Sequence, residues 1–211
     1  MPRFPKRPVL TWKEIAKIAK AFCDEHGLAN REYPLDIEGI IEFDLDIEIR
    51  FCYGVHDDFG SPAQICPGNE MPIIIVDYDQ YRANSPYYRY SLAHEIGHYI
   101  LHKNWLNEVW KQVDSIETWK KIITEIPHED YEWFEGQAEE FASFLLAPEA
   151  VFEPFIETQL KKLNETNRKL NPEDILPYLA VPVSKHFGMS NSAAQARIRK
   201  SGKWKEFCGN K

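Results

Sequence analysis

The sequence predicts a mainly helical α+β fold with one small three-stranded sheet, and three observations carry that reading. Helical periodicity opens the chain, with Ile15, Ile18, Ala19 and Phe22 on one face of residues 11–26. Strand signals are confined to residues 46–78. From Pro86 onward the pattern is helical again. Helices with one segregated sheet make an α+β fold. At 211 residues the chain has room for one sizeable core. It is therefore read as one domain over 1–211, with N-terminal helices at 1–45, the sheet at 46–78, paired helices at 86–148 and C-terminal helices at 149–211.

Thr11 is a plausible N-cap for the first helix, which ends near Gly27. A short second helix over 35–43 turns Ile37, Ile40 and Ile41 inward. Asp46 to Tyr53 alternates apolar and polar residues, as a half-buried strand does. Gly54 to Pro62 reads as a turn-rich loop and Ala63 to Cys66 as a short strand. Pro67-Gly68-Asn69 marks a turn, and the apolar run Pro72 to Asp77 is a buried strand. Short links between three successive strands predict a mainly antiparallel sheet. Helices are then predicted over 87–102, 105–126, 130–146, 172–187 and 190–200, with Pro148 and Pro154 breaking or kinking the chain.

A net charge of −8 argues against a general nucleic-acid binder, which needs a basic surface. The four cysteines, Cys23, Cys52, Cys66 and Cys208, form no C-x-x-C pair. They read as reduced thiols rather than a cysteine-based zinc site. The N-terminus has no apolar signal core, and no run approaches the roughly 20 apolar residues of a membrane span. The expected location is the cytoplasm.

The chemistry centres on His94-Glu95-x-x-His98. Residues i and i+4 share one helix face, so two imidazoles can meet one metal ion. Glu95 follows the first histidine and is placed to take a proton from a metal-activated water. With 7 His and 22 Glu in the chain, a chance match is roughly a 2% event. The setting, SLAHEIGHYIL, is otherwise apolar, and buried His and Glu are costly unless a shared ion satisfies them. Catalytic zinc takes three protein ligands. Glu135 and Glu139 form an i, i+4 pair on a later helix; Glu135 is the candidate third ligand and Glu139 a partner for a ligand histidine. Solvated surface charge is the other reading of that pair, and the spacing alone leaves both open.

Tyr88 to His102, YRYSLAHEIGHYILH, resembles the active-site helix of the ImmA/IrrE family of metallopeptidases. EGQAEEFASFLLAP, from Glu135, is similar to that family's second signature, E-x-x-A-N-x-F-A ending in L-L-M-P. Val183 to Ser190 with Arg197-Ile198 resembles its closing F-G-V-S…R-L segment. The resemblance spans most of the chain. It implies a zincin-like catalytic domain, with His94, His98 and Glu135 as metal ligands and Glu95 as catalytic base. It also implies an intracellular DNA-binding repressor as the substrate. The chain departs from the pattern where Glu139 replaces Asn, where Ala147 replaces Met, and in an aromatic linker from Trp105 to Trp133. Zinc suits a His2Glu set, and manganese or iron would fit similar ligands.

His102 is read as a packing histidine, since three ligands on one helix would strain a tetrahedral site. Tyr87, Tyr88, Arg89 and Arg197 are candidate donors to a developing oxyanion; His128 is a further donor near Glu135 but reads rather as surface loop. The tryptophans are read as core or interface. Ala63–Cys66 is a candidate edge for strand addition by a peptide. Two other functions remain on the sequence: a metal-binding regulator that cuts nothing, and a helix-turn-helix in PVSKHFGMSNSAAQARIRK. The sequence does not set the oligomeric state.

Overall fold

The computed structural model describes residues 2–83, 86–164 and 171–209. The elements run α1 (Trp12–Glu25), α2 (Ile37–Gly39) continued by a π-turn (Ile40–Asp44), β1 (Glu48–Cys52), α3 (Val55–Phe59), β2 (Ala63–Cys66) and β3 (Ile73–Asp77). Then come α4 (Tyr78–Ala83), α5 (Pro86–Trp110), α6 (Ile116–Glu125), α7 (His128–Leu146), α8 (Glu149–Asn164), α9 (Pro172–Phe187), α10 (Asn191–Lys200) and α11 (Gly202–Gly209). The fold is the mainly helical α+β, zincin-like class with a small three-stranded sheet. Among the described residues no helix is long and apolar enough to cross a membrane. The chain divides into two compact units, one of Met1–Lys17 and Asp36–Ala142, the other of Ile18–Leu35 and Ser143–Lys211.

In the first unit the strand order is β1-β3-β2, with β1 parallel and β2 antiparallel to β3. The sheet is therefore mixed, not mainly antiparallel. Ile74 to Asp77 are buried, and this most apolar strand takes the centre, where both faces are covered. Placing β3 between β1 and β2 turns the β1–β3 pairing parallel. β1 stays at the margin, with Ile49 as its one buried residue. The segment expected as loop after β1 holds α3. Asp77 explains this, because its carboxylate accepts from His56 N at 3.2 Å, Asp79 N at 3.1 Å and Gln80 N at 3.2 Å. One side chain thus satisfies the amide ends of α3 and α4.

α5 extends past the predicted end at 102. Tyr99, His102, Trp105, Leu106 and Val109 continue a buried stripe at helical spacing, and nothing between them breaks it. The break falls at 111–115 instead, where Ser115 Oγ caps α6 by accepting from Thr118 N at 3.1 Å. Two of the linker tryptophans hold the N-terminal segment. Trp105 Nε1 donates to Pro5 O at 3.0 Å and Trp133 Nε1 to Pro8 O at 3.2 Å. Arg7 stacks on Trp133 and pairs with Asp130 at 2.8 Å.

α5 and α7 touch backbone to backbone. A Cβ on Gly97 would stand 3.0 Å from both Cα and O of Ala138. A side chain here would force Ala138 back by a few tenths of an ångström, so glycine suits this approach, which brings the turn carrying Glu135 over the His94–His98 face.

In the second unit the chain stays helical through Pro154 in α8 and through Pro177 and Pro182 in α9. Of the predicted break or kink at Pro154, the break does not occur, because Phe152 and Ile156 are both fully buried and hold the turn. α11 lies beyond the predicted helices, and Glu153 secures its start by accepting from Ser201 Oγ at 2.9 Å and Lys203 N at 3.1 Å. Arg197 is buried, donates twice to Ala147 O at 3.2 and 3.1 Å, and stacks on Phe144 and Phe152.

Two outcomes follow for stability. Burial acts to raise the Asp77 pKa, but three amide bonds outweigh it and the net shift is downward. Its contribution is therefore complete above the unfolded pKa of roughly 4 and fades as pH falls through the lower folded value. Asp77→Ala should cost about 1–3 kcal/mol in urea unfolding at pH 7, and the gap to the native chain should narrow under acid. Gly97→Ala should cost about 1–3 kcal/mol through the collision with Ala138, seen as a lower urea midpoint at unchanged slope.

Candidate metal centre

Three side chains from two helices converge in the first unit. His94 and His98 lie one turn apart on α5, and Glu135 comes from α7. His94 Nε2 and His98 Nε2 are 2.9 Å apart. Glu135 Oε2 is 3.2 Å from His94 Nε2, and its Oε1 is 3.3 Å from His98 Nε2. One ligating atom from each falls within a 4.8 Å cluster. Two nitrogens held by one tetrahedral zinc at 2.0–2.1 Å would stand about 3.3 Å apart, so the donor set fits a single ion.

The proton inventory points the same way. His102 is buried, and its Nδ1 is 3.1 Å from His98 Nδ1 while its Nε2 is 3.1 Å from Gln137 Oε1. Burial first, and then the neighbouring His98, push the His102 pKa down to about 3. His102 is thus neutral, and the network assigns its proton to Nε2, toward the Gln137 carbonyl oxygen. His102 Nδ1 must then accept from His98 Nδ1–H. His98 Nε2 can then turn a lone pair to the cluster, as a metal ligand requires. Burial works to lower the His98 pKa, but Glu135 outweighs it and the net shift is upward, so a bound ion would take the place of a proton shared with Glu135. Burial works to raise the Glu135 pKa, but the two histidines outweigh it and hold the carboxyl well below the usual range.

Glu95 is buried, and its Oε2 accepts from Ile65 N of β2 at 2.7 Å. Burial raises its pKa against the pull of His98 and His94. A cleft opens here. His94, Glu95, His98 and Glu135 line it, with Ile65, Trp119, Ile123, Ile126, Tyr131 and Phe134 among the other walls.

Other candidates fall elsewhere. Glu139, expected as the partner of a ligand histidine, is exposed, and Tyr90 Oη meets only its main-chain oxygen, at 3.1 Å. The partner chain from His98 runs through His102 to Gln137 instead. Helical phase explains this, since Gln137 and Ala138 turn inward where Glu139 turns out. His102, expected as a capping or packing histidine, is buried but serves as the hydrogen-bond partner of His98. Tyr88 Oη is bound to Glu38 at 3.1 Å, Arg197 is held in the second unit, Tyr87 is exposed, and His128 is exposed and pairs with Glu132. β2 is an edge strand, as the strand-addition expectation requires. Yet the outward groups of Ile65 are already engaged: its N–H by Glu95, and its C=O by Trp119 Nε1 at 3.2 Å and Gln64 Nε2 at 3.1 Å. Sequence reasoning passed over Gln137 and Tyr131. Tyr131 is four residues before Glu135, so helical spacing from that candidate ligand was a usable signal. Gln137 had none, because its role depends on the α5–α7 crossing.

An α+β fold with two helix-borne histidines, an adjacent buried glutamate and a carboxylate from a second helix defines a zincin-like protein. Residues 69–199, more than half of the chain, match the IrrE N-terminal-like domain of the M78 peptidases. The chain belongs to this family, the ImmA/IrrE metallopeptidases. No curated protein matches it. Membership points to peptidase chemistry, and the cluster suits a metal ion.

Metal analysis of the purified chain should find close to one zinc per chain. His98→Ala and Glu135→Ala should lose it and Glu139→Ala should keep it. Gln137→Ala should weaken zinc about 10–100-fold by freeing His102, measured by chelator competition.

Proposed function

We propose that the chain is a zinc-dependent endopeptidase that cuts an intracellular protein. The observation that carries the reading is the meeting of His94, His98 and Glu135 beside the buried carboxylate of Glu95. His94, His98 and Glu135 would hold the ion, with manganese or iron as chemically similar alternatives. When bound, the ion supplies Lewis acidity, polarising a carbonyl and making water more acidic. Glu95 takes the proton from the attacking water and delivers it to the leaving amine. Ile65 N–H holds the Glu95 carboxylate in place, and His102 with Gln137 holds the His98 ring. Ile123, Ile126 and Phe134 give the cleft apolar walls that exclude bulk water.

By family resemblance the substrate is a DNA-binding repressor in the cytoplasm. Direct binding of nucleic acid by this chain finds little support in α10, where Arg197 is buried and Arg199 pairs with Glu173 at 2.6 Å. One observation favours a second reading, a metal-binding regulator that cuts nothing. The edge groups of Ile65 that an extended peptide would use are already engaged by Glu95, Trp119 and Gln64. On the peptidase reading, a substrate that pairs at this edge must displace Trp119.

Zinc-loaded chain should be incubated with candidate repressors and new termini mapped by mass spectrometry. Glu95→Gln should keep its zinc while cleavage slows about 10²–10⁴-fold. Equal cleavage by Glu95→Gln would remove Glu95 as base, and a zinc-loaded native chain that creates no new terminus would favour the regulator.

A further inference from the structure

Hydrolysis of a peptide bond puts negative charge on the carbonyl oxygen, and a donor aimed at it is worth a large share of the rate. The cleft contains several donors, but most are engaged. Trp119 Nε1 and Gln64 Nε2 both serve Ile65 O, and His102 is committed between His98 and Gln137. Of the donors expected from sequence, Tyr88 and Arg197 are bound elsewhere, and Arg89 lies by the Asp36 and Glu38 carboxylates.

Tyr131 differs from all of these. It lines the cleft together with His94, Glu95, His98 and Glu135. It sits one turn before Glu135 on α7, and helical side chains lean toward the N-terminus, so Glu135 and Tyr131 address the same space. Among the described residues its hydroxyl has no hydrogen-bond partner, and at 37% exposure a substrate can reach it.

We propose that Tyr131 is a catalytic residue, donating a hydrogen bond from Oη to the oxyanion that forms on the scissile carbonyl. The role rests on the peptidase reading above. The water oxygen bonds to the carbonyl carbon, Glu95 takes the water proton, and the C=O π pair moves onto oxygen. Tyr131 O–H stabilises that charge without losing its proton. As the C=O re-forms, the C–N bond breaks and the proton on Glu95 passes to the amine nitrogen. Burial first, and then the charges of Glu135 and Glu95, push the Tyr131 phenol up to about 12, so it stays a donor across neutral pH. Ser61 is the other cleft hydroxyl, and it also accepts from Ala63 N, at 3.5 Å.

The test compares the native chain with Tyr131→Phe and Ser61→Ala. Zinc content is measured first. Calorimetry then follows N-phosphoryl-leucyl-tryptophan, a tetrahedral oxyanion probe, and 2-mercaptoethanol, which binds zinc through sulfur alone. Tyr131→Phe should keep its zinc and its thiol affinity but bind the phosphoryl probe at least about 10-fold more weakly, with any cleavage reduced roughly 10²-fold in kcat at unchanged KM. Ser61→Ala should match the native chain throughout. Equal probe affinity in Tyr131→Phe, no probe binding by the zinc-loaded native chain, a loss confined to Ser61→Ala, or loss of zinc from Tyr131→Phe would each overturn the role. A native chain without zinc is seen before any probe is added; it removes the metal reading itself, and the role of Tyr131 with it.

Discussion

Gly97 and Ala138 meet where two helix backbones come too close for a larger side chain to fit without a shift, and the geometry of the candidate site in the first unit depends on that contact. His94 and Glu135 each lie three residues before the touching pair, on α5 and α7 respectively. Closing the helices to backbone distance brings the two onto one site, 3.2 Å apart. The same contact aligns His102 with Gln137, at 3.1 Å. A wider crossing would separate all these pairs together, because each spans the two helices. The small residues are therefore part of the site although they carry no chemistry.

The second constraint is electrostatic. Glu95, His102 and Gln137 are buried, and each buried polar atom left unmatched costs about 1–3 kcal/mol. The fold answers most of them with ordered partners: Ile65 N–H for Glu95, His98 and the Gln137 oxygen for His102. Gln137 Nε2 is buried without a hydrogen-bond partner among the described residues. This network does more than balance charge. By holding His102 neutral it sets the tautomer of His98 and directs one lone pair at the cluster. Ile65 joins the network to the sheet, since its N–H steadies the Glu95 carboxylate while its C=O anchors Trp119 of α6. The edge of the sheet and the floor of the cleft are thus one structural feature, which places the aromatic linker over the site rather than beside it.

The second unit shows how residue type alone can mislead. An arginine in a family-like segment has the chemistry of an anion-binding group. Arg197 instead lies against two phenyl rings with its N–H groups on Ala147 O, holding the end of one helix to another. The prolines teach the converse. A proline removes one helical hydrogen bond, yet burial of Phe152 and Ile156 on either side of Pro154 outweighs that local preference.

The sequence by itself determined most of the helical segments, the three strand segments, the pair of histidines on one face of α5 and the family. Those are encoded locally: a 3.6-residue period, an alternating period, and two histidines one turn apart can be read without knowing any neighbour. It also pointed to Glu135, though only the family pattern separated it from Glu139. Tertiary structure decided the rest. Strand order in the sheet depends on which strand can be covered on both faces. The exchange of Glu139 for Gln137 as the outer partner, the engagement of Ile65 by Trp119, and the standing of Tyr131 as an uncommitted donor all depend on distances between elements far apart in the chain. Periodicity says which face a residue takes on its own helix. It carries no information about what the facing helix presents there, which in this protein depends on how closely Gly97 and Ala138 let the two helices come.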